Sequence, residues 1–154
     1  MVYADDVLIS VRQKHSRNML RGRKTAEVRR RAARIRPGTR VWVYSKMPRG
    51  RVELVATVEG VIVAHPQDLW DLYQDRLSVT FTEFQSYLNG VKRGCVILLQ
   101  NIEPLQPTLD LESIRRISKK FQPPQFFKRL VPNGPELQNL IFNVPSLVRE
   151  RSTP

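Results

Sequence analysis

The chain has 154 residues, 41% of them hydrophobic, which suits one domain burying about 70% of the surface its unfolded form exposes. A net charge of +12 and a pI near 10.7 strain a compact state by self-repulsion unless they serve a polyanion. Nucleic acid is the commonest such partner, with an acidic membrane surface as the competitor. No lipidation signal, N-terminal hydrophobic leader or membrane-length apolar run is present. The single cysteine excludes an internal disulfide and suits a reducing cytoplasm. Cys95, His15 and His65 lack metal-ligand spacing, so neither a metal nor a cofactor is expected.

The charge is uneven. Arginines and lysines from Arg12 to Arg40 fall in one stretch whose only acid is Glu27, and Lys46, Arg49 and Arg51 extend it. Asp68, Asp71, Asp75 and Glu83 lie in the middle of the chain. A basic side opposite a near-neutral one is a footprint for phosphates.

Taken in order, Val7–Val11 is an apolar run of strand length, and Gln13 begins a helix with Met19 and Leu20 inward. His15, in its first turn, is either a phosphate or base contact or a solvated side chain. Gly22 reads as the residue past the helix end, where positive φ costs glycine least. The stretch from Gly22 to Arg31 then reads as a strand entrance followed by a strand. Thr25, Glu27, Arg29 and Arg31 fall on one face and Ala26, Val28 and Arg30 on the other. Alternate residues are ~7 Å apart, so Glu27 and Arg29 present opposite charges side by side, with Lys24 able to reach over a cleft. The competing reading is an exposed basic strand whose acid merely relieves repulsion.

Pro37-Gly38 is a turn. In Arg40–Lys46, Val41, Val43 and Ser45 share one face and Trp42, Tyr44 and Lys46 the other. Trp42 is assigned to the core, whereas Tyr44 either packs or stacks a base. Val52–Ala64 is a long β-branched strand with a bend at Gly60. Pro66 starts a helix, and Thr80 with Glu83 forms a capping box before a helix whose stripe of Phe84, Tyr87 and Leu88 is assigned to the core. Gly94–Leu99 is a buried strand ending near Asn101, where Cys95 acts as a small hydrophobe. Leu109–Ile117 is a helix, Pro123-Pro124 forces an extended path, Pro135–Phe142 is a last short helix, and Ser146–Pro154 is a frayed tail. About five strands and four helices give an α+β domain around a small barrel.

The pattern Gly22-x-Lys24-x-x-Glu27-x-Arg29, followed in order by Pro37-Gly38, Val41–Ser45, Asn89-Gly90, Gly94–Leu99 and Pro123-Pro124-Gln125-x-Phe127, resembles the ASCH domains of the PUA-like superfamily. The resemblance implies a PUA-like β-barrel over residues 1–130, with 131–154 as an extension. It also implies a cleft beside the first helix lined by Lys24, Glu27 and Arg29, and a role in binding RNA. Relatives said to cleave single-stranded RNA use the signature lysine and a nearby tyrosine, which makes Lys24, Glu27 and Tyr44 the catalytic candidates. A branch hydrolysing N4-acetylcytidine has threonine where this chain has Glu27, so that amidohydrolase is disfavoured.

The expectation is a cytoplasmic RNA-binding protein, with a metal-independent ribonuclease using Lys24 as the alternative. DNA is a second candidate partner, and oligomeric state is open. The expected nucleic-acid contacts are Arg12, Lys14, Arg17, Arg21, Arg23, Lys24, Arg29, Arg31, Ser45 and Lys46.

Overall fold

A computed structural model describes residues 5–152. Six strands form one curled half-barrel sheet in the order β2-β5-β4-β3-β1-β6. They are β1 (Asp6–Val11), β2 (Ala26–Arg29), β3 (Arg40–Ser45), β4 (Arg51–Ala64), β5 (Gly94–Asp110) and β6 (Phe127–Arg129). Only β1 and β3 pair in parallel. The helices are α1 (Gln13–Leu20), α2 (Pro66–Leu77), α3 (Phe81–Tyr87), α4 (Leu111–Ile117), α5 (Pro135–Phe142) and α6 (Pro145–Ser152).

The curl comes from the two long strands. The β4/β5 register shifts between Val52 and Leu54, Val55 and Thr57, and Val58 and Gly60. Extra residues at bulges bend a strand and raise its twist, so the sheet closes on itself instead of running flat. The shift at Gly60 is the bend expected there.

Both faces of the sheet are buried. Val7, Ile9, Val41, Val43, Leu54, Ala56 and Ile97 pack inside the curl with Met19 of α1. Leu8, Trp42, Tyr44, Val52 and Val55 face the other way, onto Ile114 of α4, Leu137 and Leu140 of α5 and the Val144 that precedes α6. At the β2 edge, Ala26, Val28, Val96 and Leu98 bury Leu69 and Leu77 of α2 and Phe84 of α3. No helix among the described residues is long and apolar enough to cross a membrane.

Local chemistry explains where the structure departs from the sequence reading. Met19 is buried but Leu20 is 41% exposed, because α1 turns only a narrow stripe through Ser16 and Met19 inward. The strand β5 runs past Asn101, which takes a φ of +53° and redirects the chain without ending the ladder. Its Pro104 and Pro107 are tolerated because β4 is the one strand that pairs with this half of β5. The next helix starts at Leu111, capped by Asp110, whose Oδ1 accepts from the Ser113 amide at 2.7 Å. After the two prolines the chain adds β6 to the β1 edge. Most of the predicted tail is helix α6, whose Leu147 packs on the second core; residues 153–154 lie outside the described residues.

Candidate functional site

The site is built by the turn from α1 into β2. Gly22, at φ +74°, lets the chain leave the helix, and the Arg23 and Lys24 amides both donate to Asn18 O, at 2.9 and 3.1 Å. The Thr25 amide donates to Arg76 O at 3.0 Å, and Arg76 Nε donates to Thr25 Oγ1 at 2.9 Å, which fastens the turn to α2. Lys24 is thereby directed inward. It is 1% exposed, and Nζ donates to Leu77 O, at the C-terminal end of α2, at 2.6 Å. The negative end of a helix is a favourable place for an ammonium.

Strand alternation then places Glu27 and Arg29 on the same face as one another, with Ala26 and Val28 in the core behind them. Glu27 Oε1 lies 3.6 Å from Lys24 Nζ and accepts from the Val28 amide at 3.2 Å. Glu27 Oε2 accepts from Arg29 Nη2 at 3.1 Å, and the same nitrogen donates to Ser10 O at 3.1 Å. Two buried cations share one carboxylate, which leaves a net positive charge.

A cavity of about 560 Å³ opens beside this triad. Its walls are the end of β1 at Ser10 and Val11, His15 of α1, and Phe84 and Tyr87 of α3. Arg12, Lys14 and Lys46 line it as well, all with exposed side chains. The Lys14 ammonium bridges to Glu83, joining α1 to α3 through their side chains. The predicted capping box is present, with the Glu83 amide donating to Thr80 Oγ1 at 3.1 Å and the Thr80 amide to Glu83 Oε1 at 3.0 Å.

The protonation states follow from burial and neighbours. Burial pushes the Glu27 carboxyl up, but Lys24 and Arg29 outweigh it and hold it below the ordinary range. Lys24 is lowered by burial, against the opposing pull of Glu27. His15 falls to about 4 through burial and then the Lys24 charge, so it is neutral at pH 7. Burial raises the Tyr87 phenol, which stays protonated there. The Lys14 hydrogen bond and the Thr80 amide hold Glu83 down at about 2.

The chain is similar to several known proteins. Residues 6–129 match the family described as "Domain of unknown function (DUF365)", and the chain belongs to it. A curated "ASCH domain-containing ribonuclease" of Zymomonas mobilis is 27% identical over 120 residues, covering 78% of this chain and 80% of that protein. The crystal structure of ASCH from Zymomonas mobilis superposes with a TM-score of 0.85 at 25% identity, covering 91% of this chain and 96% of that one. A serine-to-alanine mutant of the Zymomonas mobilis protein gives a TM-score of 0.84 over the same shares. The protein is an ASCH domain.

Within the ASCH cleft, the structure brings together Lys24, Glu27, Arg29, Arg12, Lys14 and Lys46 from the residues singled out in the sequence. It does not bring Tyr44. That ring is 3% exposed in the second core, on the opposite face of β3 from Val41 and Val43. Ser45 is fully buried and accepts a hydrogen bond from Ser16 Oγ at 3.0 Å. Arg17, Arg21 and Arg23 are exposed and stand outside the cavity lining, and Arg31 lies over the Phe126 ring at 5.8 Å. The tyrosine that does line the cleft is Tyr87, 44% exposed, which the sequence reading had assigned to the core. A seven-residue helix buries one narrow stripe, here Phe84 and Leu88, and Tyr87 at its edge was the residue to suspect.

Proposed function

We propose that this ASCH domain binds RNA, taking a nucleotide of a single-stranded or looped segment into the cavity and holding the adjoining phosphates on its cationic rim. The observation that carries this reading is the buried Lys24–Glu27–Arg29 triad bordering about 560 Å³ of cavity in a chain of net charge +12. A cavity of this size suits a nucleoside-sized ligand. Glu27 would accept from an exocyclic amine, while Lys24 and Arg29 donate to carbonyl or phosphate oxygens. Phe84 and Tyr87 offer apolar surface against which a base can rest.

Cleavage of RNA is the second reading, favoured by the ribonuclease description of the Zymomonas mobilis relative. The protonation states favour binding. A general base works best with a pKa near the operating pH, yet Glu27 is held low, His15 is near 4 and Tyr87 is raised. Lys24 alone moves toward neutrality, and it would be the group to carry a reaction.

The test incubates labelled single-stranded RNA with wild type and Lys24→Ala, with and without chelator. Retention of intact RNA by wild type, weakened in Lys24→Ala, supports binding. Cleavage that survives chelation and disappears in Lys24→Ala replaces that reading with the ribonuclease. Absence of both RNA retention and RNA cleavage at physiological salt overturns both.

A further inference from the structure

Outside the cleft lies a second polar assembly. Glu53 is only 2% exposed, although it sits in the middle of the β-rich wall between Val52 and Leu54. Against β3 it is the extra residue of a bulge, and against β5 it has no partner because residues 105–108 loop past it. The β3 register pairs Tyr44 with Val52 and Val43 with Leu54, and the β5 register pairs Val52 with Leu109 and Leu54 with Pro104. Glu53 is skipped in both ladders. Bulges re-aim side chains, and this one aims a carboxylate at two arginines.

Glu53 Oε1 accepts from Arg49 Nη1 at 2.8 Å and from Arg51 Nε at 3.0 Å. Neither guanidinium makes another side-chain hydrogen bond among the described residues, and their side chains remain 32% and 38% exposed. One buried acid thus fixes two half-exposed forks whose remaining N–H groups have no side-chain partner among the described residues, with a net positive charge between them. Guanidinium forks match phosphate oxygens in a way a lysine cannot.

The assembly adjoins the cleft by chain connectivity. Lys46 lines the cavity and opens the turn that ends at Gly50. Gly50 takes φ +59°, and its carbonyl accepts from the Leu111 amide at 3.0 Å, tying the turn to α4. Met47, 72% exposed, follows Lys46 in that turn.

We infer that Arg49 and Arg51, oriented by Glu53, form a second phosphate-binding subsite, which holds the backbone of an RNA strand as it leaves the cavity past Lys46. This rests on the RNA-binding reading above and extends it by giving the bound strand a direction. A dinucleotide would occupy the cavity alone, whereas a longer strand would reach both subsites.

The test compares a dinucleotide with an octanucleotide across a salt series, using wild type and the triple variant Arg49→Ala, Arg51→Ala, Glu53→Gln. Neutralising Glu53 in the same variant avoids leaving a buried charge unpaired. The octanucleotide affinity is expected to fall about tenfold and its log–log salt slope by about 1.4, the contribution of two phosphates on a single strand. Dinucleotide affinity should be unchanged. Lys92→Ala, which removes one exposed charge elsewhere, should leave both oligomers unaffected. Should the triple variant fail to fold, Arg49→Gln keeps Arg51 on Glu53 and is expected to lower the slope by about 0.7. Octanucleotide binding and salt slope equal to wild type in the variants would overturn the subsite while leaving the cavity reading intact. Failure of wild type to bind either oligomer would overturn the RNA reading and the subsite with it.

Discussion

Among the carboxylates this sheet buries against guanidinium groups, Asp6 and Glu27 serve different ends. Asp6, at the start of β1, is 3% exposed. Its Oδ1 accepts from Arg40 Nε at 2.8 Å and Trp42 Nε1 at 2.9 Å, and its Oδ2 from Arg40 Nη2 at 3.2 Å. Both oxygens are occupied, and Asp6 does not line the cavity beside Glu27. Glu27 is as deeply buried and also holds an arginine, but a second cation, Lys24, competes for it and a cavity lies alongside. Burial of a charge therefore does not by itself mark a site. The mark is a surplus of charge beside space that a ligand can fill.

The contrast breaks most sharply at Asp6. Asp6→Ala leaves the buried Trp42 indole N–H without its acceptor and removes the carboxylate from Arg40, and should cost about 1–3 kcal/mol in urea unfolding. The RNA affinity of the folded variant should match wild type. Lys24→Met should do the reverse. Removing one of two cations sharing a carboxylate leaves Glu27 paired to Arg29, so stability should change by no more than about 1.5 kcal/mol, mostly from the lost Leu77 O partner. RNA affinity, read by fluorescence anisotropy, should fall about tenfold or more, the scale of losing a charge-assisted contact.

The pH response sharpens the comparison further. His15 has its pKa lowered in the fold to about 4, so between pH 4 and its ordinary 6.5 the unfolded chain binds more protons than the folded one. Stability should rise with pH through that window, be complete above it, and fall as acid is added. Urea midpoints at intervals from pH 4 to 7 should show this slope, flattened in His15→Gln. The smallest effect is at the rim. Glu83→Gln removes the one acid lining the cavity besides Glu27 and frees Lys14, and it should tighten RNA binding by about two- to threefold at low salt, the gain vanishing as salt is raised.

Much of the cleft was legible because local rules act there. Gly22 past the helix end, alternation through β2, and Glu27 as the lone acid in a basic stretch each point to the arrangement found. What could not be read depends on long-range register. Nothing local tells Tyr44 from Tyr87; which of them meets the cavity is decided by the curl of β4 and β5 and by how α3 docks on β2. Helix α1 likewise gave no sign that Leu20 would face solvent, since only packing against the sheet chose between it and Met19. The partners of Glu53 were hidden for the same reason, because a bulge set by how β4 pairs with β3 has no signature in one strand's sequence.

The most direct measurement is a crystal structure of the protein with a short single-stranded RNA. The account predicts a nucleotide inside the cavity, within hydrogen-bonding distance of Glu27 and of Lys24 or Arg29, and the adjoining phosphate on Lys46 or Arg12. RNA bound on the α4–α6 face, with the cavity vacant, would contradict it.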